Sequence, residues 1–184
     1  MVLLGKQGSG KGTQGQRLAA QFGMQHLSTG QLFRDSASAG VQAGLEAKAF
    51  MDRGELVPDE LVIAVVEERF QNPAEVVPGF VLDGFPRTEQ QAFELDRILR
   101  DQPLDVVIDI DVPTDVAVER MRSRGRDDDT EESIRRRLQL YDTETKPLAD
   151  FYRERDLLVS VDGLGTEAEV QAAMLAAVTD RFSR

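Results

Sequence analysis

The residues best suited to chemistry form a glycine-rich run near the start of the chain, residues 5–13. Residues 5–11 match the pattern G-x-x-x-x-G-K in full, ending at Lys11, and the first hydroxyl after the lysine is that of Thr13. The apolar Val2–Leu4 predicts a strand before the run, and the residues after it predict a helix. In that context backbone N–H groups, the helix N-terminus and the lysine bind phosphate. The sequence therefore predicts a loop that binds nucleotide phosphates, with Lys11 at the β- and γ-phosphates.

A strand-end acid and the turn after it provide the second candidate group. Asp83 closes the apolar run 79–83, which predicts a buried strand. In a chain that also carries a phosphate-binding loop, such an acid is typical of the residue that holds the water ligands of a nucleotide-bound Mg²⁺. The turn at residues 84–88 would present Arg87 at the same edge of the sheet, where a guanidinium can bind a phosphate with two parallel hydrogen bonds.

Arginines are concentrated in one part of an otherwise acidic chain. The formal net charge is −11, which argues against general binding of nucleic acid or of anionic membranes, yet seven arginines lie between residues 120 and 137. We infer a pocket for a small polyanionic ligand. Four of these arginines are candidates for phosphate binding: Arg120, Arg124, Arg126 and Arg137. Three are expected on a solvated surface: Arg122, Arg135 and Arg136.

The order of the predicted elements indicates an α/β fold. Short apolar segments predict five strands, at residues 2–4, 25–27, 79–83, 105–111 and 157–162. Helical patterns lie between them, which predicts a five-stranded parallel sheet with helices on both faces. Ligands of such sheets bind at the carboxyl ends of the strands. The glycine-rich run and Asp83 both lie there, so the fold would bring the candidate groups together.

Two capping patterns predict helix starts. Asp129-x-x-Glu132 predicts the start of a helix that ends near Pro147. Thr88-x-x-Gln91 predicts the start of another helix, so Gln91 has a structural alternative to ligand binding.

The composition is that of an ordinary globular domain. The 184 residues are 41% hydrophobic and 30% charged, which suits one domain with a sizeable core. There are no cysteines, which excludes disulfides and thiolate zinc sites. Neither a membrane span nor a signal peptide is evident, which predicts a cytoplasmic protein. We interpret His26, the one histidine, as a side chain packed along a short strand in preference to a catalytic base.

Five segments together resemble the adenylate kinase family in their order and spacing: residues 5–13, 27–30, 54–58, 83–88 and 125–129. The Asp-Gly-Phe-Pro-Arg sequence that begins at Asp83 is highly specific to nucleoside monophosphate kinases. The resemblance covers nearly the whole chain. It implies a P-loop kinase fold in one domain, residues 1–184, with a mobile AMP-binding helical subdomain at about residues 28–57 and a short lid at about residues 122–129.

The resemblance also implies an activity, the reversible transfer of the γ-phosphoryl group from MgATP to AMP, which gives two ADP. The transfer is direct, and lysine and arginine side chains stabilise the charge. Mg²⁺ is the expected metal, held through water by Asp83, and no zinc is expected because the short lid lacks cysteine. The expected partners are ATP, AMP and ADP, with no nucleic acid and no membrane, and the enzyme is expected to be a monomer.

Individual residues receive roles from the same resemblance. Catalytic charge stabilisation is expected from Lys11, Arg87, Arg124, Arg126 and Arg137. ATP contacts are expected from Gly8, Ser9, Gly10, Lys11, Gly12, Thr13, Arg120, Arg124, Gly163 and Gly165, with Arg120 stacked on the adenine. AMP contacts are expected from Thr29, Arg34, Glu55, Leu56, Val57, Gly84, Phe85, Pro86, Arg87, Gln91, Arg126 and Arg137. Asp128 and Asp129 would orient the arginines.

Two positions depart from the family's usual pattern. Gln7 stands where the family usually has proline, so the entry to the glycine-rich loop is less rigid. Gln31 stands where the family usually has aspartate, which removes a charge beside the AMP site.

Two alternative functions remain open from the sequence. A UMP/CMP kinase shares the short lid, and the preference for AMP over pyrimidine acceptors rests on Thr29 and Gln91. A P-loop switch protein, which binds one nucleotide and signals through a partner, is the alternative from a different class. Such a switch does not require the second phosphate site that Arg34 and Arg87 imply.

Overall fold

The computed structural model describes residues 1–71, 79–100 and 102–183 of the chain. Its strands are β1 Val2–Leu4, β2 Gln25–Ser28, β3 Phe80–Asp83, β4 Val107–Asp111 and β5 Leu158–Asp162. They form one parallel sheet in the order β2-β3-β1-β4-β5, which confirms the predicted five-stranded parallel sheet. Because β2 and β3 lie on one side of β1 and β4 and β5 on the other, the strand order reverses at β1. The loop after β1 therefore opens where sheets of this kind bind ligands.

Helices connect the strands throughout the described part of the chain. They are α1 Lys11–Phe22, α2 Thr29–Ser38, α3 Gln42–Asp52, α4 Asp59–Phe70, α5 Glu89–Leu99, α6 Thr114–Arg124, α7 Glu131–Leu140, α8 Pro147–Arg153 and α9 Glu167–Phe182. A π-helical turn, Tyr141–Thr145, joins α7 to α8. No helix within the described residues is long and apolar enough to cross a membrane.

Successive residues of the strands pack against helices on opposite faces of the sheet. Val2 and Leu4 of β1 belong to a buried cluster that includes side chains of α4, α5 and α8. Leu3, between them, belongs to a second cluster that includes side chains of α1 and α9. Because the side chains of a strand alternate between its two faces, a run of three apolar residues supplies both cores. Helices cover both faces of the sheet, as predicted.

The start of α7 differs from the prediction. Its N-cap is Thr130, whose Oγ1 accepts a hydrogen bond from Ser133 N at 3.2 Å, so the predicted Asp129-x-x-Glu132 capping box is wrong. The Asp129 carboxylate is bonded to two arginines instead, and these outcompete the backbone for it. The helix expected to end near Pro147 is α-helical only as far as Leu140, and the π-helical turn Tyr141–Thr145 takes up the rest of the expected span.

Candidate active site

A cleft of about 1120 Å³ opens at the carboxyl ends of the strands. It brings together most of the residues that the sequence assigned to nucleotide binding. Those that line it are Gly8, Ser9, Gly10, Lys11, Gly12, Thr13, Arg34, Asp83, Gly84, Pro86, Arg87, Arg120, Arg124, Arg126, Gly163 and Gly165. Residues from the two ends of the chain and from its middle therefore meet in one place.

The glycine-rich loop has the backbone conformation that anion binding requires. Gly8 and Gly10 have φ of 85° and 101°, and a Cβ on Gly8 would lie 2.3 Å from the carbonyl oxygen of Ala117. Only glycine fits such a position without strain. Gly10 is the N-cap of α1 and provides no side-chain cap, so the first N–H groups of the helix are available to an anion.

Lys11 is held inside this loop. Its Nζ donates hydrogen bonds to the carbonyl oxygens of Gly5 at 2.6 Å and of Lys6 at 2.7 Å. Burial lowers the pKa of Lys11 to about 8, although Asp83 and nearby acids act in the opposite direction. The side chain is therefore cationic at neutral pH, poorly hydrated, and bound to two neutral oxygens.

Asp83 and His26 lie together beneath the loop. Asp83 is buried at the end of β3, and its Oδ2 lies 4.0 Å from His26 Nε2. Burial lowers the pKa of His26, with Asp83 acting in the opposite direction. A Cβ on Gly15 of α1 would lie 2.7 Å from His26 Nε2, so the ring fills the space that this glycine leaves. This packing agrees with the structural interpretation of His26.

Two acidic residues hold two of the predicted phosphate-binding arginines. Arg124 donates to both carboxylate oxygens of Asp129, at 2.5 and 2.8 Å, and Arg137 donates to Asp129 at 2.6 Å and also to Asp128. Arg137 Nη2 also donates to the carbonyl oxygen of Met51 at 2.9 Å, at the end of α3. Burial favours the neutral acid, but the hydrogen bonds from the two arginines hold the pKa of Asp129 below its ordinary value. The cluster is therefore charged and ordered.

Three other arginines of the cleft have lowered pKa values. Burial lowers the pKa of Arg34, Arg87 and Arg126, and neighbouring arginines act in the same direction, although nearby aspartates oppose the shift. Arg87 Nε donates to Gly84 O at 2.9 Å, and Arg34 Nη2 donates to Gln31 Oε1 at 3.2 Å, so both guanidinium groups bond to neutral oxygens. A phosphate among these side chains would stabilise their charged forms, which indicates an anion site.

A small cavity of about 30 Å³ adjoins the cleft. Of the predicted AMP-binding residues, seven line it: Thr29, Glu55, Leu56, Val57, Gly84, Arg87 and Gln91. Four further lining residues had not been predicted: Gly30, Phe33, Met51 and Val62. The apolar members, Phe33, Met51 and Val62, lie on three different helices, so no local pattern in the sequence indicates that they meet at one cavity.

Two predicted residues line neither the cleft nor the small cavity, and two residues of the π-helical turn line the cleft without having been predicted. Phe85 is fully buried in the core beside the cleft, and Arg137 is engaged in the acidic cluster. Conversely, Tyr141 and Thr145 line the cleft, and no pattern in the sequence predicts that position. The π-helical turn brings them there, and Thr145 Oγ1 donates to the carbonyl oxygen of Arg87 at 2.9 Å.

The predicted capping box at the start of α5 is half formed. Thr88 Oγ1 accepts from Gln91 N at 3.2 Å, which is the expected cap. The Gln91 side chain does not return to Thr88, because its Oε1 accepts from the backbone N–H of Arg87 at 2.8 Å. The Gln91 side-chain amide also lines the small cavity. Gln91 can therefore take part in the cap through its backbone N–H and bind a ligand through its side chain.

A parallel α/β sheet with a phosphate-binding loop, a strand-end acid and converging arginines defines the chain as a P-loop kinase. The adenylate kinase family model matches residues 3–157. Proteins named adenylate kinase are similar over nearly the full length. The one from Stenotrophomonas maltophilia R551-3 is 45% identical, over 97% of this chain and 98% of its own. The one from Rhodococcus erythropolis PR4 is 48% identical, over 97% and 98%. The one from Xanthomonas campestris pv. campestris 8004 is 47% identical, over 92% and 94%.

The chain therefore belongs to the adenylate kinase family. This confirms the family, the fold and the enzyme class that the sequence predicted. It also confirms the predicted function, phosphoryl transfer between ATP and AMP, and does not favour the UMP/CMP kinase alternative.

Proposed function

We propose that the protein transfers the γ-phosphoryl group of ATP directly to the phosphate of AMP, and that the residues predicted from the sequence do so in the cleft. The observation that carries this proposal is that one cleft is lined both by the phosphate-binding loop and by Arg34 and Arg87. A protein that binds a single nucleotide does not need Arg34 and Arg87 as a second phosphate site. Transfer between two nucleotides, in contrast, requires two phosphate sites that meet.

The ATP half of the site would be built on residues 8–13, with their backbone N–H groups and Lys11 at the phosphates. Arg120 supports the position of the adenine. Its Nη2 donates to Gly163 O at 3.0 Å and its Nη1 approaches Ser9 O at 3.4 Å, so the guanidinium spans from the loop to the turn after β5. A planar guanidinium held by its edges in this way leaves a face on which a base can stack.

Mg²⁺ would enter with ATP, and Asp83 would bind one of its water ligands. The carboxylate faces the phosphate-binding loop, since a Cβ on Gly12 would lie 3.8 Å from Oδ2 of Asp83. Mg²⁺ commonly binds through one or two carboxylates together with waters and substrate phosphates, so this donor set fits the ion. Among the described residues there is no group of three or more His, Cys, Asp or Glu that would hold a metal by itself. When bound, the ion neutralises charge on the phosphates.

The transferred group would be stabilised by Lys11, Arg87, Arg124, Arg126 and Arg137. Phosphoryl transfer asks a protein mainly for positioning and charge neutralisation, and no protein nucleophile is required. Two of the arginines, Arg124 in the wall of the cleft and Arg137 outside its lining, already have fixed geometry, because Asp128 and Asp129 hold them. We propose that phosphate oxygens replace these carboxylates as partners when both nucleotides are bound.

The AMP half requires movement. The cavity beside Gln91 has about 30 Å³, which is room for about two water molecules at about 10–15 Å³ each. A purine base needs much more room, so we propose that residues 28–57 move outward to admit AMP. Residues 122–129 would close as the lid over ATP. Closure excludes water, which would otherwise accept the phosphoryl group in place of AMP.

We propose further that the enzyme is a monomer and works in the cytoplasm. A single chain supplies both phosphate sites and the arginines that join them, which supports the monomer. The net charge of −11 supports small anionic substrates held in a basic cleft, in preference to nucleic acid or membrane partners.

The proposal predicts the choice of acceptor. With ATP as donor, kcat/KM for AMP should exceed that for GMP, UMP and CMP by roughly ten- to a hundredfold, because an unpaired buried amide costs about 1–3 kcal/mol. Gln91→Ala should narrow the gap, since the amide at the cavity wall is the group proposed to contact the base. Steady-state kinetics with the four monophosphates test this. If UMP or CMP is the better acceptor, the assignment to AMP fails.

The pKa of Lys11 predicts a pH dependence for the use of ATP. In the free enzyme the ammonium group titrates at about 8, well below the ordinary value of 10.5, so its positive charge is present below that pH and lost above it. Because kcat/KM reports on the free enzyme, kcat/KM for ATP should fall as the pH rises through about 8. The corresponding fall in kcat should occur at higher pH, since bound phosphates raise the pKa of Lys11. A kcat/KM profile that stays level up to about pH 10 would contradict this assignment.

A further inference from the structure

Asp59, the first residue of α4, contacts the residue proposed to select the acceptor base. Its carboxylate accepts two hydrogen bonds from the start of α5. Thr88 Oγ1 donates to Oδ2 at 2.9 Å, and Gln91 Nε2 donates to Oδ1 at 2.6 Å. Asp59 was not among the residues predicted for the site, and an acid in the first turn of a helix has an ordinary explanation in the helix dipole.

The geometry gives this carboxylate a second consequence, because it holds one end of the Gln91 amide. Gln91 is 1% exposed and lines the small cavity, and its other end accepts the N–H of Arg87 at 2.8 Å. A primary amide has two N–H donors and two oxygen lone pairs. One donor and one lone pair are used here, so one of each is left for a ligand. A carboxylate can only accept hydrogen bonds. The Asp59 carboxylate therefore favours the orientation in which the NH₂ group of Gln91 faces it, and it repels the amide oxygen.

We propose that Asp59 is a positioning residue, which together with the backbone N–H of Arg87 fixes the orientation of the Gln91 amide and thereby sets the preference for adenine over guanine. The inference rests on the proposed function, in which Gln91 contacts the acceptor base. Adenine carries an amino group beside a ring nitrogen acceptor, whereas guanine carries a carbonyl beside a ring N–H. An amide of fixed orientation matches one of these edges and opposes the other.

Asp59→Ala should therefore change selectivity more than activity. The ratio of kcat/KM for AMP to that for GMP should fall about tenfold, mainly through a higher KM for AMP, with kcat and the KM for ATP nearly unchanged. Glu60→Ala is the matched control. It removes the same charge from the same turn of α4, and Glu60 is exposed, so the ratio should stay as in the wild type.

A double-mutant cycle separates positioning from a general structural effect. Asp59→Ala should lower the AMP-to-GMP ratio in the wild-type background and leave it unchanged in a Gln91→Ala background, where there is no amide to orient. A merely structural role, such as support of the α4 N-terminus, would have equal effects in both backgrounds. Thermal unfolding of each variant measures that structural contribution separately.

Asp59→Asn keeps the test decisive if Asp59→Ala does not fold. Asparagine has the same shape as aspartate, but it has one acceptor oxygen for the two donors, Thr88 and Gln91. Its NH₂ group can also donate to the oxygen of a Gln91 amide in the opposite orientation. The ratio of kcat/KM for AMP to that for GMP should therefore fall at least about threefold. An AMP-to-GMP ratio that is unchanged in the folded Asp59 variants would overturn this inference alone. A wild-type enzyme that prefers UMP or CMP would overturn the proposed function instead.

Discussion

Replacing Lys11 with alanine is expected to lower kcat at least about a hundredfold, because a charge-assisted contact to the transferred group is worth at least about 3 kcal/mol of barrier. The protein should stay folded. The side chain lies in the cleft and bonds to the carbonyl oxygens of Gly5 and Lys6, which water can reach once the lysine is gone. Its pKa of about 8 shows that burial disfavours the ammonium form, so the substitution removes an unfavourable desolvation together with two hydrogen bonds.

Lys48→Ala is the matched control for this substitution. Lys48 is half exposed on α3 and pairs with Asp52 one turn later, so its removal makes the same change of net charge at a distance from the phosphates. Exposed pairs of this kind contribute about 0.3–0.5 kcal/mol, and turnover should be unaffected. The measurements are kcat with both nucleotides saturating, and thermal unfolding of both variants. Near-normal turnover by a folded Lys11→Ala protein would rule out the phosphate-binding role of the loop.

The sequence predicted the parts of the site that a local pattern encodes. The residues from β1 to α1 fold as expected, because glycines, a lysine and the flanking periodicities all favour the same strand, loop and helix. Asp83 and Arg87 were also placed correctly at the sheet edge, since a strand fixes where its last residue lies.

The parts that depend on distant contacts could not be predicted in the same way. The Asp129 carboxylate had a good local use as a cap, but two arginines from α6 and α7 bind it more strongly, and Thr130 caps the helix instead. The contact between Asp59 and Gln91 joins the starts of two helices, and no spacing in the chain indicates it.

Arg87→Ala is expected to lower kcat/KM for AMP about a hundredfold or more. Arg87 lies where the cleft meets the small cavity and belongs to both. Its guanidinium donates to the neutral oxygen Gly84 O. Burial lowers the pKa of Arg87 although the nearby Asp83 acts in the opposite direction, so the cation is desolvated. Two parallel hydrogen bonds to the AMP phosphate would give the Arg87 guanidinium a negatively charged partner. The loss of these bonds in Arg87→Ala should raise the barrier measured by kcat/KM by about 3 kcal/mol.

The pattern across acceptors distinguishes this role from that of Gln91. The phosphate is common to all four monophosphates, so Arg87→Ala should weaken AMP, GMP, UMP and CMP by similar factors, and the KM for ATP should change little. Arg153→Ala is the matched control, because Arg153 is an exposed arginine paired with Asp150 on α8, outside the cleft and the lid, and its removal changes the net charge equally. If Arg87→Ala lowers kcat/KM for AMP and leaves kcat/KM for the other acceptors unchanged, then Arg87 contacts the base. In that case the proposal that Arg87 binds the phosphate while Gln91 selects the base is wrong.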